Sequence, residues 1–148
     1  VTVNGQDFFN FAVKCIAHGD EIGYRNAVGR AYYGLYHEVC SKLEKGPDPA
    51  THRSVRDYLI DSAWLMGNEP FDKMKLISLG TLLKHLHIQR KWADYNLDDD
   101  YPKADAEAVL IMAQKGLEKA KAMYEETTHH SLPARQLKPL HFSKSRKI

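Results

Sequence analysis

Between Glu21 and Lys45 the apolar residues Val28, Tyr32, Leu35, Tyr36, Val39 and Leu43 recur at three- and four-residue spacings. That is the period of one helix face and not of a strand. Gly46 and Pro47 close the segment. Four other stretches read the same way. Gln6 to Ala17 carries an apolar stripe of Phe8, Phe11 and Cys15, with Val13 nearby. A third helix starts from a Thr51 cap, runs through Trp64 and stops near Gly67. A fourth spans about Asp72 to Asp94, with Leu76, Leu79, Leu82, Leu83, Leu86 and Ala93 as its core face. A fifth begins near Ala104 and runs to about Glu126, with Ala108, Ile111, Met112, Leu117, Ala120 and Tyr124 facing the core. No alternating strand pattern rises above these, and the loops are short. The chain is therefore expected to be all-α, an antiparallel bundle of about five helices.

Charge divides the chain in two. After Glu126 there are five basic residues (Arg135, Lys138, Lys144, Arg146, Lys147) and no acidic ones, while the part before carries 16 basic against 19 acidic residues. Pro133 and Pro139 argue against continued helix there. The expected organisation is a helical domain over residues 1–127 and a basic, flexible tail over residues 128–148, suited to nucleic acid, to an acidic partner face or to plain solvation. No apolar run approaches the roughly 20 residues of a membrane span, so no membrane contact is expected. VTVNGQDFF lacks the layout of a signal peptide. Cys15 and Cys40 stand alone, without CxxC spacing. Both features predict a cytoplasmic protein with reduced, packing cysteines.

The second helix has an unusual back. Gly23, Asn26, Ala27, Arg30, Gly34, His37 and Ser41 fall within about 60° of Arg30 at about 100° per residue. The stripe is small and polar rather than rich in Lys and Glu, which fits close approach by the same helix of a second copy across a two-fold axis, with two Arg30 and His37 sets in one cleft. Arg30 and His37 lie two turns apart on it, about 10.5 Å along the axis. A guanidinium can stabilise charge on a phosphate, and an imidazole can move a proton near neutral pH. The plainer alternative is a surface His beside a salt-bridging Arg. On the fourth helix Arg90 and Asp94 both point into the apolar face and are spaced to pair. They are expected to form a buried ion pair or to line a groove. Tyr32, Tyr33 and Tyr36 are mostly core by position. His85 and His87 lie on different sides of their helix, His52 follows a cap, and His129 and His130 sit at a helix end. HExxH, CxxC, a Gly-rich phosphate loop and GxSxG are all missing, so no metal and no cofactor are expected.

Two segments resemble a bacterial subgroup of the HEPN domain superfamily. Residues 25–40, RNAVGRAYYGLYHEVC, are similar to its R-x-Y-Y-x-x-x-H segment. Residues 89–99, QRKWADYNLDD, are similar to its R-x-x-A-D-Y-(N/D) segment. Thr51 and His52 fit the same subgroup, and the likeness covers about residues 5 to 126. The resemblance implies a helical bundle that dimerises. It also implies a metal-independent endoribonuclease with an R-x(4–6)-H motif, of the kind found in toxin–antitoxin and phage-defence systems beside a nucleotidyltransferase antitoxin. Arg30 and His37 satisfy that spacing and are the implied catalytic pair. Asn26, Tyr33, Arg90 and Asp94 are the substrate-binding candidates, and the expected partners are RNA, a second copy of the chain and a cognate antitoxin. Ala31 departs from the polar residue that often follows the Arg in active members, and the family motif usually lies later in the fold. A non-catalytic HEPN adaptor, binding a partner protein or a nucleotide, is the alternative.

Overall fold

Asn4 and Asp7 start the first helix by satisfying each other's backbone. The Asn4 side chain accepts from the Asp7 N–H at 3.0 Å, and the Asn4 N–H donates to the Asp7 carboxylate at 2.8 Å. A computed structural model describes the backbone of residues 1–140 and the side chains of residues 1–127. Five helical rods make up an antiparallel bundle, with no strand among the described residues. They are α1 (Gly5–Ala17), α2 (Glu21–Lys42), α3 (residues 52–65, with a π-helical turn at Tyr58–Ser62), α4 (Lys73–Tyr95) and α5 (Lys103–Leu140). Side-chain caps from Asp20, Thr51 and Asp72 open α2, α3 and α4. No helix of the described residues is long and apolar enough to cross a membrane.

α2 is the axis of the bundle and packs against α1, α4 and α5. Val28, Tyr32, Leu35 and Val39 are almost wholly buried, as their spacing predicts. Leu76, Leu79, Leu83, Leu86 and Ala93 do the same for α4. α2 stops at Lys42, three residues earlier than expected. The reason is Glu69, which is buried and accepts from the backbone N–H groups of Glu44 and Lys45, both at 2.8 Å. The Tyr58 hydroxyl donates to the same carboxylate at 2.6 Å.

The small stripe of α2 has a partner inside the chain. Gly23, Ala27 and Gly34 are buried under α1, and a Cβ on Gly34 would lie 2.8 Å from the Gly5 carbonyl oxygen and 3.1 Å from the Phe9 nitrogen. The close approach expected of another copy is thus made by α1. The buried face of α1 is Gly5, Phe9 and Ala12, whereas Phe11 and Val13 are exposed and Phe8 sits at the rim. The expected stripe of Phe8, Phe11 and Cys15 is rotated from the true one, because the contact is made by small residues. α5 shows a similar shift. It buries Ala106, Val109, Leu110, Ala113, Leu117, Ala120 and Met123, leaving Ala108, Ile111 and Tyr124 exposed. Gly116 centres that face, since a Cβ there would press on Leu82 and Leu35. α5 also continues past Glu126 to Leu140 instead of stopping before Pro133. A proline inside a helix removes one hydrogen bond and bends the rod without having to end it. The rest of the expected basic tail, residues 141–148 with Lys144, Arg146 and Lys147, lies outside the described residues.

The buried charge that ties α2 to α4 is Arg25. It donates to the carbonyl oxygens of Ala93 and Asn96, both at 2.9 Å, and to that of Asp99, and it pairs with Glu21 at 2.8 Å. The end of α4 has carbonyls without helical donors, and the guanidinium supplies them.

Candidate functional site

Tyr33 is the hub where side chains of α2, α3 and α4 meet, and α1 reaches the cluster through its Phe8. It sits on α2, half-buried, between the small stripe and the apolar face. The Arg30 guanidinium carbon lies 5.3 Å from the centre of its ring, and that of Arg90 lies 5.4 Å away. Arg30 also lies 5.6 Å from the ring of Phe8, which α1 contributes. His37 packs on Phe8 at 4.9 Å and stacks on Tyr33 at 6.0 Å between ring centres. From α3 comes His52, hydrogen-bonded to the Tyr32 hydroxyl at 2.8 Å and to the Tyr33 hydroxyl at 3.3 Å. From α4 comes His87, stacked on His52 at 4.7 Å. Two guanidiniums and three imidazoles therefore surround a group of tyrosines.

Arg30 is half-buried and has neither a carboxylate partner nor a hydrogen-bond acceptor among the described residues. His37 is exposed, with both ring nitrogens free of protein hydrogen bonds among the described residues. Burial, then the nearby Arg30 cation, push the His37 imidazole below its ordinary range. Burial, then Arg90, do the same to His52. His87 is also lowered, first by burial and then by His52, Arg90, Lys91 and Arg56. Tyr36 is pushed up to about 12, chiefly by burial.

Arg90 and Asp94 do pair, Nε to carboxylate oxygen at 3.0 Å, but the pair is not buried as expected. The Arg90 side chain keeps 18% of its surface and that of Asp94 36%. Both sit at the rim of the α4 core face, where the Arg90 stem passes over Gly29 of α2. The consequence is a small one for stability. Asp94→Ala should cost under about 1 kcal/mol in a thermal or urea melt, because a helical ion pair whose carboxylate still reaches water contributes little. A cost of several kcal/mol would mean the pair is shut away from water.

Asn26 stands apart from the cluster. Its amide donates to the Ile22 carbonyl at 2.8 Å, and it lines a shallow cavity of about 410 Å³ with Phe11, Cys15 and Ile22. No contact joins it to Tyr33, His37 or Arg90 among the described residues. His52 and His87 were not among the sequence candidates. The hints were the place of Thr51 and His52 in the resemblance, the Thr51 cap that fixes where His52 begins α3, and the three-residue spacing from His87 to Arg90. Among the described residues, no three His, Cys, Asp or Glu side chains converge as a metal-holding group.

No family model matches this chain, and neither does any curated protein or solved structure. Its chemistry has to be argued from the cluster itself.

Three lowered imidazoles make the fold acid-sensitive. Their folded values lie below the 6.5 of a free imidazole, so the unfolded chain binds protons first. Stability should be complete above about pH 6.5 and fall as the pH drops through the folded values. A melting temperature that falls between pH 7.5 and pH 5.5 is the expected result. One that stays level or rises would mean these histidines are not held neutral by the fold.

Proposed function

We propose that this protein binds RNA at the Arg30–Tyr33–His37 cluster and cleaves it without metal, as a HEPN-like endoribonuclease. What supports this is Arg30, a half-buried guanidinium with no carboxylate of its own among the described residues, beside an imidazole whose two nitrogens make no hydrogen bond among them. A cation kept unpaired in a folded protein is suited to an anion from outside. Arg30 and Arg90 would hold the oxygens of a phosphodiester. His37, neutral at pH 7, would take the proton of the adjacent 2′-hydroxyl. The 2′-oxygen then attacks phosphorus, the bond to the 5′-oxygen breaks, and that oxygen takes up a proton. The products are a 2′,3′-cyclic phosphate and a 5′-hydroxyl. A toxin or phage-defence role, a nucleotidyltransferase antitoxin, a cytoplasmic location and a homodimer come with the HEPN resemblance. Since α1 covers the small stripe of α2, a second copy would meet a different face.

The test is incubation of the purified protein with mixed RNA in a chelator, followed by analysis of the new ends. Cleavage leaving 2′,3′-cyclic phosphates supports the ribonuclease. An RNA left intact, or cleavage only with added divalent metal, removes it.

One observation favours the second reading, a non-catalytic adaptor that docks on another protein. Ile88, Trp92 and Tyr95 lie along one side of α4, followed by Leu97, and each keeps at least half of its surface exposed. Such a stripe is the usual form of a protein-binding face.

A further inference from the structure

Tyr32 and Tyr33 hold opposite nitrogens of one imidazole. The Tyr32 hydroxyl is 2.8 Å from Nδ1 of His52 and the Tyr33 hydroxyl 3.3 Å from Nε2. A neutral imidazole has a single N–H, so it accepts from one tyrosine and donates to the other. Burial decides the direction. Tyr32 is 1% exposed, and His52 is its one hydrogen-bond partner among the described residues. If Nδ1 carried the proton, the Tyr32 hydroxyl hydrogen would be buried with no acceptor, which is the costly arrangement. Tyr33 is half-buried, so its hydroxyl hydrogen is not enclosed by the sealed core that surrounds Tyr32. Tyr32 therefore donates to Nδ1, Nε2–H donates to the Tyr33 oxygen, and the Tyr33 hydrogen is left pointing away from His52.

We infer that Tyr33 is a hydrogen-bond donor to a phosphate held between Arg30 and Arg90, its hydrogen turned outward by the Tyr32–His52 pair. The inference rests on the cluster being the phosphate site proposed above. It gives His52 a task that its place after the Thr51 cap alone does not explain. His52 touches no ligand and acts through Tyr33, as a positioning residue. Its surroundings keep it in the one-proton form that the relay requires, since burial and the Arg90 cation both oppose a second proton. A donor at Tyr33 also adds to what the two guanidiniums offer. Each lies beside the ring, at 5.3 and 5.4 Å from its centre, while the hydroxyl lies at the ring's end beside His52. An anion reaching all three is gripped from different directions, which a pair of cations alone does not achieve.

The first measurement needs no ligand. Long-range proton–nitrogen NMR on the free protein at pH 8, with His52→Asn to assign the signals, should show His52 protonated at Nε2. Protonation at Nδ1 overturns the inference. The second is a titration with inorganic phosphate. Tyr33→Phe keeps the ring beside both guanidiniums and removes only the hydroxyl. It should weaken phosphate binding about tenfold, the loss expected for one hydrogen bond to a charged group. Unchanged affinity overturns the inference whatever the tautomer. A wild-type protein that binds no phosphate overturns it together with the site. Tenfold weakening in a protein that cleaves no RNA supports the donor and removes only the ribonuclease.

Discussion

Arg25→Ala should destabilise the protein by about 3 kcal/mol or more, because it strands backbone groups that have no other side-chain donor among the described residues. The guanidinium serves the carbonyl oxygens of Ala93, Asn96 and Asp99 at once, and the Ala93 contact is buried. Its one carboxylate partner among the described residues, Glu21, is nearly half exposed and loses little. The stabilisation therefore comes from carbonyl acceptors and not from the ion pair. Arg25 also lies over the ring of Tyr101, 5.7 Å from its centre, so packing is lost with the charge. For a domain of this size the loss corresponds to a fall of roughly 6–12 °C in melting temperature. Arg25→Lys should recover only part, since an ammonium cannot reach carbonyls spread from Ala93 to Asp99 in a planar fan. Glu21→Ala should cost under about 1 kcal/mol. If the Arg25 and Glu21 substitutions cost the same, the ion pair and not the carbonyl clamp is what matters.

Arg25 shows where legibility ends. In the sequence it is one more cation on a helix, and its partners are backbone carbonyls some seventy residues away that leave no mark in the side-chain pattern. Glu69 is the same case, a buried carboxylate used by two backbone N–H groups and one tyrosine. The α2 and α4 faces were readable because large apolar side chains carry the burial there. α1 was misjudged because its contact runs through Gly5 and Ala12, which add nothing to an apolar stripe, while Phe11 adds much and faces water. Of the site, the Arg30 and His37 spacing was readable because both sit on one helix. Phe8, His52 and His87 come from three other helices, and only packing brings them into the cluster around Arg30, Tyr33 and His37. The Arg90–Asp94 pair was readable as a pair, since its spacing is local. Its burial was not, because that depends on how far α4 is rolled against α2.

His37→Ala should lower metal-free RNA cleavage about 10²- to 10⁴-fold while leaving the melt nearly unchanged. The ring makes no hydrogen bond among the described residues and its contacts with Phe8 and Tyr33 lie at an exposed edge, so its loss removes chemistry and only surface packing. Arg30→Ala should reduce cleavage comparably, and Arg30→Lys should restore only part of it, since a point charge cannot grip two phosphate oxygens at once. The two residues are also coupled, and that coupling separates a catalytic pair from two independent contacts. His37 is held below its ordinary range first by burial and then by the Arg30 cation. In the wild type the acid limb of the rate profile should therefore fall at a pH below about 6.5. Arg30→Ala removes the cation and should move what remains of that limb upward, toward the value of a free imidazole. Arg30→Lys keeps the charge and should leave the limb in place, even though the rate is reduced. A limb that ignores Arg30 would mean that some other group supplies the proton transfer. Equal cleavage by wild type and His37→Ala would remove His37 from the reaction and leave the exposed face of α4 as the better guide to what this protein does.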